Sequence, residues 1–509
     1  PSADDCTVSA TNGGTAAVHP ARTYAWLVIA LALGALCRFW DLTGPSLFID
    51  EGFVFHISEH PPAEILHLVA YSDFHPPLFY LVTHVLMEHL HWQEWTYRYL
   101  TSAFSLLGIA ATWAIARRCF GETAAAVAAI ALALEPALIE FDRLYRMYAV
   151  LVALGAVSWW LLLRAAAAEG RARIAWWIGY ALAAIALPYV QYIGALVVAS
   201  QGLYALTGMR KMWPALAADL IAGLALIPWM WAIKVQYPNG GYVIRLDSPE
   251  FSWPHVIRAS VAYGLPIEWM MKPAFDPLFS AGIAIILLAG LYLGRKTLLP
   301  FWCAPIVVQV VASLVTGKDL VIPRYLYVYV PAFCIAFGAL VAAVLQTRLR
   351  VLGAALIALY VGISSISVYD LIFVPFYQFP NWYEINAVMA PREKRTDLII
   401  MDQGAEYWVV RDFTAFRSHQ IEGPALPSDV APAIRWLAGY PKRRVWYIEN
   451  QPGFTDPGHR VERALDATRP VLGRWQQLRA FREDIVRVVL YGERLAPAGK
   501  KRVVKTTSP

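Results

Sequence analysis

Asp50 and Glu51 stand side by side in SLFIDEGFVF, residues 46–55, a run that is otherwise apolar. Carboxylates are rarely buried unless they are paired or employed, so this pair calls for a task. One of them can take the proton of an attacking group, while its neighbour orients that base, the attacking group or a metal. The plainer alternative is a helix cap or an exposed turn. Complementary groups follow along the chain: His75 ahead of a Pro–Pro pair, Arg143, Arg146 and Tyr148 in EFDRLYRMY, Tyr189, Gln191 and Tyr192 in YVQY, and Lys318, Arg324 and Tyr325 in GKDLVIPRY. Guanidinium matches two phosphate oxygens at once, and acids, bases and tyrosines on one face fit a cavity for a charged or sugar-bearing substrate. Snorkelling would account equally for Arg143 and Arg146, an interface anchor for Arg324 with Tyr325, and a surface ion pair for Lys318 with Asp319. His56, His60 and Glu64 follow one another at one helical turn, a spacing able to hold zinc, so a divalent metal is the cofactor the sequence allows for. Ordinary interfacial histidines are the competing reading.

Whether these residues meet depends on the elements that carry them. The chain is 509 residues long, 58% hydrophobic and only 16% charged, against roughly 25% charged in soluble domains. That composition fits a polytopic α-helical membrane protein, and its many Trp and Tyr residues suit membrane interfaces. The net charge of +6 is spread along the chain, which gives nucleic-acid binding no support. The five cysteines form neither a disulfide framework nor a zinc motif.

Segments able to cross ~30 Å of hydrocarbon fall near residues 23–39, 97–116, 124–141, 147–165, 173–188, 190–208, 213–233, 277–294, 298–316, 325–346 and 351–374, eleven in all. The first reads as an uncleaved anchor. Residues 76–90 form a shorter candidate that opens on two prolines and contains His84, Glu88 and His89. Basic residues of short loops mark the cytoplasmic side. If 76–90 is an interfacial or re-entrant helix, then Arg117 with Arg118, Arg164 with Arg171 and Arg173, Arg210 with Lys211, Arg295 with Lys296, and Arg348 with Arg350 all share one side. The N-terminus is then expected in the cytoplasm of a cell whose plasma or inner membrane holds the protein. Asp50, Glu51, His75, the 141–146 and 188–192 junctions, the 317–324 loop and the C-terminus then share the outer face.

The organisation expected is a disordered tail over 1–22, a membrane module over 23–376 with a first outer loop at 40–96, an extracytoplasmic α/β domain over 380–495, and a basic tail over 496–509. TDLIIMDQ and RRVWYIEN read as strands and DVAPAIRWLAGY as a helix, suggesting a small Rossmann-like sheet. No glycine-rich phosphate loop follows its first strand, which argues against nucleotide binding.

FIDEG, HPPLFYL, EWTYRYLTSAFSLLG, EFDRLYRMYAVLVAL and IPRYLYVYVPAF, in that order, resemble the GT-C superfamily of membrane glycosyltransferases. Within it, protein O-mannosyltransferases and the aminoarabinose transferases of lipid A are the most similar in pattern. The resemblance implies a polyprenyl-phosphate sugar donor, an acceptor that is a protein hydroxyl, a lipid or a glycan, and transfer on the outer face of the bilayer. It also implies that Asp50 is the catalytic acid residue of the first outer loop, with Glu51 beside it. His75 stands where aminoarabinose transferases have a lysine, and Gln191 where many relatives have a histidine. An inverting transfer would use Asp50 as general base, and the departing phosphate needs cations rather than a general acid. The rival reading is a transporter or lipid-linked-sugar flippase. Transporters usually carry internal repeats and midplane charges, whereas here the charge lies at one interface and no repeat is evident.

Overall fold

Long apolar runs must satisfy their own backbone within the bilayer, and the described residues of the first three-quarters of this chain are mostly helical. The computed structural model describes residues 20–239, 276–317, 321, 323–374, 382–401, 421–422, 431–449, 458–476 and 486–495. Its helices are α1 (Pro20–Phe39), α2 (Ile49–Ser58), α3 (Pro62–Ser72), α4 (Leu78–Leu90), α5 (Arg98–Phe120), α6 (Glu122–Ala133), α7 (Pro136–Asp142), α8 (Met147–Ala167), α9 (Gly170–Val190), α10 (Gly194–Thr207), α11 (Met209–Leu226), α12 (Met230–Asn239), α13 (Asp276–Leu293), α14 (Leu299–Thr316), α15 (Val330–Leu345) and α16 (Arg350–Phe373). A helical turn at Pro323–Leu326 leads into α15.

The chain is a multi-pass membrane protein, and all eleven segments expected to span are helical among the described residues. By length and apolarity, seven helices suffice to cross a membrane, or eight if α6 and α7 count as one bent span. The described apolar stretches of α1, α10 and α13 are shorter. α4 has 13 residues, well below the ~20 that a perpendicular span needs.

The expected straight span over 124–141 is broken, with α6 and α7 meeting at 54°. Pro136 opens α7 and has no N–H to continue the ladder from α6. Buried polar groups satisfy the break. Arg38 donates to Ala133 O at 2.8 Å and to Leu132 O at 3.4 Å, closing the end of α6. Its Nε also meets Asp142 at 2.8 Å, with both side chains at most 3% exposed. Tyr360 of α16 donates to Glu135 Oε2 at 2.9 Å and to Ala131 O at 3.0 Å. Close helix contacts use small residues: a Cβ on Gly338 of α15 would lie 2.4 Å from Ala124 O of α6, as in membrane helices whose backbones approach closely.

Contacts divide the chain into two units, Pro1–Gly44 with Val54–Phe373, and Pro45–Phe53 with Val374–Pro509. The acidic stretch therefore groups with the C-terminal residues rather than with the first outer loop expected to contain it. Trp382 N–H donates to Ser46 Oγ at 3.0 Å within that second unit.

The second unit contains α17 (Trp382–Met389), β1 (Leu398–Met401), β2 (Ile421–Glu422), α18 (Ala431–Ala438), β3 (Val445–Glu449), α19 (Arg460–Thr468), β4 (Val471–Gln476) and β5 (Arg487–Tyr491). Its sheet runs β2-β1-β3-β5-β4. The first three strands are parallel, as a Rossmann-like reading expects, while β5 runs antiparallel to both of its neighbours, β3 and β4. Alternate strand residues Leu398, Ile400, Val445, Tyr447, Val489 and Tyr491 pack with Ala433 and Leu437 of α18 and Val461 and Leu465 of α19. Arg469, 2% exposed, donates to the carbonyls of Leu437 and Tyr440 and so closes the end of α18.

Candidate functional site

In the membrane unit, the loop joining α3 to α4 carries a carboxylate that the sequence reading did not single out. Asp73 ends α3 with an extended backbone, φ −134° and ψ 175°, and Phe74 N–H donates to its Oδ1 at 2.8 Å. The His75 ring bonds the same oxygen through Nδ1 at 2.8 Å, and the Tyr80 hydroxyl donates to Oδ2. Asp73 is 5% exposed and His75 4%. Burial alone would raise the Asp73 carboxyl, but the charge and hydrogen bond of His75, the charge of Arg146 and the Tyr80 bond together hold it down at about 2. It is therefore an anion throughout the neutral range. His75 Nε2 is buried and has no hydrogen-bond partner among the described residues.

The loop is held from the other side by amide and hydroxyl groups. Gln236 of α12 donates to Val69 O at 2.8 Å and to His75 O at 3.1 Å. Its Oε1 accepts from the Tyr192 hydroxyl at 2.6 Å, and that hydroxyl accepts from Trp229 Nε1 at 2.8 Å. Tyr192 also lies within electrostatic reach of Asp73. Beside it, Gln191 is 3% exposed, takes the Tyr192 N–H on Oε1 at 2.7 Å, and leaves Nε2 buried with no hydrogen-bond partner among the described residues.

Two arginines complete the cluster. Arg146 precedes α8 with an extended backbone and is 3% exposed; its guanidinium lies 5.9 Å from the Tyr148 ring centroid. The preceding turn is fixed by Ser102 Oγ donating to Asp142 O at 3.0 Å and Thr101 Oγ1 to Leu144 O at 2.9 Å. Arg324, in the turn before α15, hydrogen-bonds Tyr325 and lies 6.0 Å from its ring centroid. Tyr325 in turn lies within electrostatic reach of both Asp73 and Arg146.

Of the residues expected at a substrate cavity, His75 thus bonds Asp73 and Arg146, Tyr192 and Tyr325 lie within its electrostatic reach, while Tyr148 stands beside Arg146, Gln191 beside Tyr192 and Arg324 beside Tyr325. Arg143 has a different role. It donates to Cys37 O at 3.1 Å and Trp40 O at 2.7 Å, filling carbonyls at the end of α1, where a cation is favoured. Tyr189 donates to Ala225 O of α11 at 2.6 Å. Lys318 lies outside the described residues. Asp73, Trp229 and Gln236 were missed. The available signal was an acid two residues before the histidine of DFHPP.

The two acids of the opening stretch occupy the first turn of α2. Glu51 is fully buried, and its Oε2 accepts the Phe48 N–H at 2.8 Å, the backward reach of a capping box. Asp50 is half-buried in the same turn.

The histidine-rich stretch forms contacts of another kind. His60 Nδ1 bonds His56 O at 3.0 Å, and His60 Nε2 lies 3.8 Å from Glu64. Among the described residues, the metal-ligand types that converge within 4.8 Å are Glu449, His459 and Glu462 instead. There Arg487 already ion-pairs with both glutamates.

The family model for dolichyl-phosphate-mannose-protein mannosyltransferases matches residues 74–231. The structure of ArnT from Cupriavidus metallidurans in the apo state is similar, with 17% identity, a TM-score of 0.53, and coverage of 92% of this chain and 98% of that one. The same protein bound to undecaprenyl phosphate gives a TM-score of 0.51 at the same identity and coverage. The archaeal oligosaccharyltransferase AglB from Archaeoglobus fulgidus, in complex with an inhibitory peptide and a dolichol-phosphate, gives 0.51 at 10% identity, covering 88% of this chain and 72% of that one. Among curated proteins no sequence matches.

Proposed function

We propose that this chain, whose fold is that of the GT-C membrane glycosyltransferases, moves a sugar from a polyprenyl-phosphate-linked donor to a protein hydroxyl, a lipid or a glycan. The observation that carries the reading is the buried Asp73–His75 pair, with Arg146 acting on Asp73 and Arg324 bonded to Tyr325, which lies within reach of both. Guanidinium groups match phosphate oxygens, so the cluster is suited to a phosphate-bearing ligand. A phosphodiester between a polyprenol and a sugar carries such a group.

In this reading the cations supply what the leaving group needs. As the bond from the anomeric carbon to the phosphate oxygen breaks, negative charge grows on the phosphate. Guanidinium groups already in place stabilise it without reorganisation. Gln191, Tyr148, Tyr192 and Tyr325 supply rings and an amide suited to the sugar and to the aromatic walls of a ligand cavity. Asp50 is assigned the general base that takes the proton of the acceptor hydroxyl, and attack opposite the phosphate inverts the anomeric configuration. Glu51 is assigned to fixing the turn that carries Asp50. The reaction is placed on the extracytoplasmic side of the cell membrane, with the N-terminus in the cytoplasm.

The test is a transfer assay. Purified full-length protein is given a panel of radiolabelled polyprenyl-phosphate sugars with a membrane extract as acceptor. Label moving from one donor to an extractable product, lost in Asp50→Asn, is the expected result. Donor that crosses vesicle membranes unchanged, with no transfer, would favour the flippase reading instead.

A further inference from the structure

We infer that one end of the sheet in the second unit is a docking surface for a bilayer bearing anionic phospholipid, made by Arg395, Lys442 and Arg494 beside an apolar rim. This does not rest on the transferase reading.

The strands bring the surface together. β1, β3 and β4 start at this end, and β5 finishes there. Backbone bonds join the loops that flank them. Leu398 N–H donates to Arg444 O at 2.9 Å, Arg494 N–H to Pro441 O at 2.7 Å, Gly492 N–H to Pro470 O at 2.8 Å and Leu495 N–H to Thr468 O at 2.9 Å. The buried Arg469 ties the same loops from within, donating to Gly492 O at 3.1 Å and to Arg443 O. Side chains far apart in sequence are thus presented together on one frame.

The charge of this end has one sign. Arg392, Lys394, Arg395, Lys442 and Arg494 are exposed, and among the described residues of these loops Glu493 is the exposed acid. Arg395, Lys442 and Arg494 form no ion pair among the described residues. Toward the other end of the sheet the pattern differs: Arg487 pairs with Glu449 and Glu462, and Arg474 with Glu462 and Asp466. A face that serves solubility alone mixes both signs in that way. The residues after Leu495 extend the asymmetry, since they contain Lys500, Lys501, Arg502 and Lys505 and no acid.

Apolar groups accompany the cations. Val471, Leu472 and Leu495 are between 45% and 57% exposed at this end, and Pro441 and Pro470 are exposed beside them. Cations next to exposed apolar side chains suit a headgroup layer with hydrocarbon beneath it, whereas a soluble anion leaves the apolar groups in water. A bilayer is also always within range. Residues 374–381 are all that separates α16, an apolar helix long enough to span, from α17, and a segment of that length reaches at most about 30 Å. Such a tether keeps the effective concentration of lipid high.

Fluorescence tests the surface directly. Full-length protein, its native cysteines replaced, carries an environment-sensitive fluorophore on Leu472→Cys and is placed in nanodiscs of phosphatidylcholine alone or mixed with phosphatidylglycerol. Docking should shift the emission to the blue, and allow quenching by lipid brominated in its acyl chains, only where phosphatidylglycerol is present. High salt should reverse both effects by screening. Arg395→Glu combined with Lys442→Glu and Arg494→Glu should abolish them, with unchanged hydrogen exchange in β1 and β3 as the check on its fold. If that check fails, Lys442→Glu alone supplies the comparison and should lose part of the shift. The same emission in both kinds of disc, or a shift that survives charge reversal, would overturn the inference. An equal shift on adding soluble glycerol phosphate to phosphatidylcholine discs would overturn it too, assigning the surface to a free anion. Sugar transfer enters none of these measurements, so the transferase reading stands or falls separately.

Discussion

Asp50→Asn separates a catalytic role from a capping role, because the two acids of α2 are engaged differently. Glu51 is fully buried and its carboxylate receives the Phe48 N–H at 2.8 Å, so Glu51→Ala removes that acceptor and weakens the helix start. Loss of a cap of this kind costs ~0.5–2 kcal/mol. Asp50 lies in the same first turn, half-buried, and Asn keeps its shape there. Its contribution to the start of α2 is the favourable charge near the helix N-terminus, worth ~0.3–1 kcal/mol. A stability change of that size shifts a melting curve by a few degrees at most and leaves nearly all of the protein folded. Loss of a general base lowers a rate by ~10²–10⁴, equivalent to ~3–5 kcal/mol in the barrier. The two substitutions should therefore cross: Asp50→Asn abolishes turnover with little loss of stability, and Glu51→Ala lowers the melting temperature with the milder loss of turnover. The assay is label transfer from the polyprenyl-phosphate sugar that wild type accepts, with donor binding and thermal melts on the same preparations. Wild-type transfer by a folded Asp50→Asn protein would refute the assignment of the base.

Three further outcomes follow from the same structure. Arg324→Lys should weaken binding of polyprenyl phosphate by about tenfold or more although the charge is kept, because a bidentate fork becomes a point charge; unchanged affinity in Arg324→Ala would remove it from the site. In a background whose native cysteines are replaced, Glu169→Cys should be protected from an impermeant thiol reagent in intact cells while Gly458→Cys is labelled, and the opposite pattern would reverse the proposed orientation. In the second unit, burial raises the Asp397 carboxyl, but its bonds from Arg444, the Lys394 N–H and Trp446 outweigh this and hold it below the ordinary 3.8. A depressed folded value means stability that is present above pH ~4 and lost as pH falls through the folded value. Hydrogen exchange in β1 and β3 of the full-length protein should therefore accelerate on acidification. Arg444→Met should destabilise that unit by about 3 kcal/mol at neutral pH and flatten the acid dependence, and an unchanged acid profile in the variant would refute this account.

The helical part of the fold was legible because a bilayer leaves the chain little choice: each apolar stretch of sufficient length became a helix. What remained hidden were the places where one residue breaks that rule. Glu135 and Pro136 sit inside the segment read as one span, and the break they make is stable because Arg38, from α1, fills the carbonyls that α6 leaves open. Nothing local in 124–141 announces a partner about 95 residues earlier. The sheet shows the same limit. Its parallel half follows from strand and helix alternation, whereas the antiparallel β4 and β5 depend on pairing that no local pattern specifies.

The candidate site was legible as a set of residue types and much less so as a geometry. Arg143 and Arg146 are three residues apart and had equal claim to a substrate phosphate. Arg143 follows α7 with helical dihedrals, φ −81° and ψ −6°, and its side chain ends on the carbonyls of α1. Arg146 is extended, φ −134° and ψ 158°, and its charge acts on Asp73 instead. One change of backbone region between them thus separates a helix cap from a member of the cationic cluster. Asp73 was overlooked for the converse reason. A single aspartate in a short polar loop has no distinguishing pattern, and its importance arises only when folding brings Tyr80 and Arg146 to it and encloses all three. Sequence spacing could name the chemistry because chemistry needs particular side chains. It could not say which copies of those side chains would be used, since that is decided by the direction of the backbone at each one.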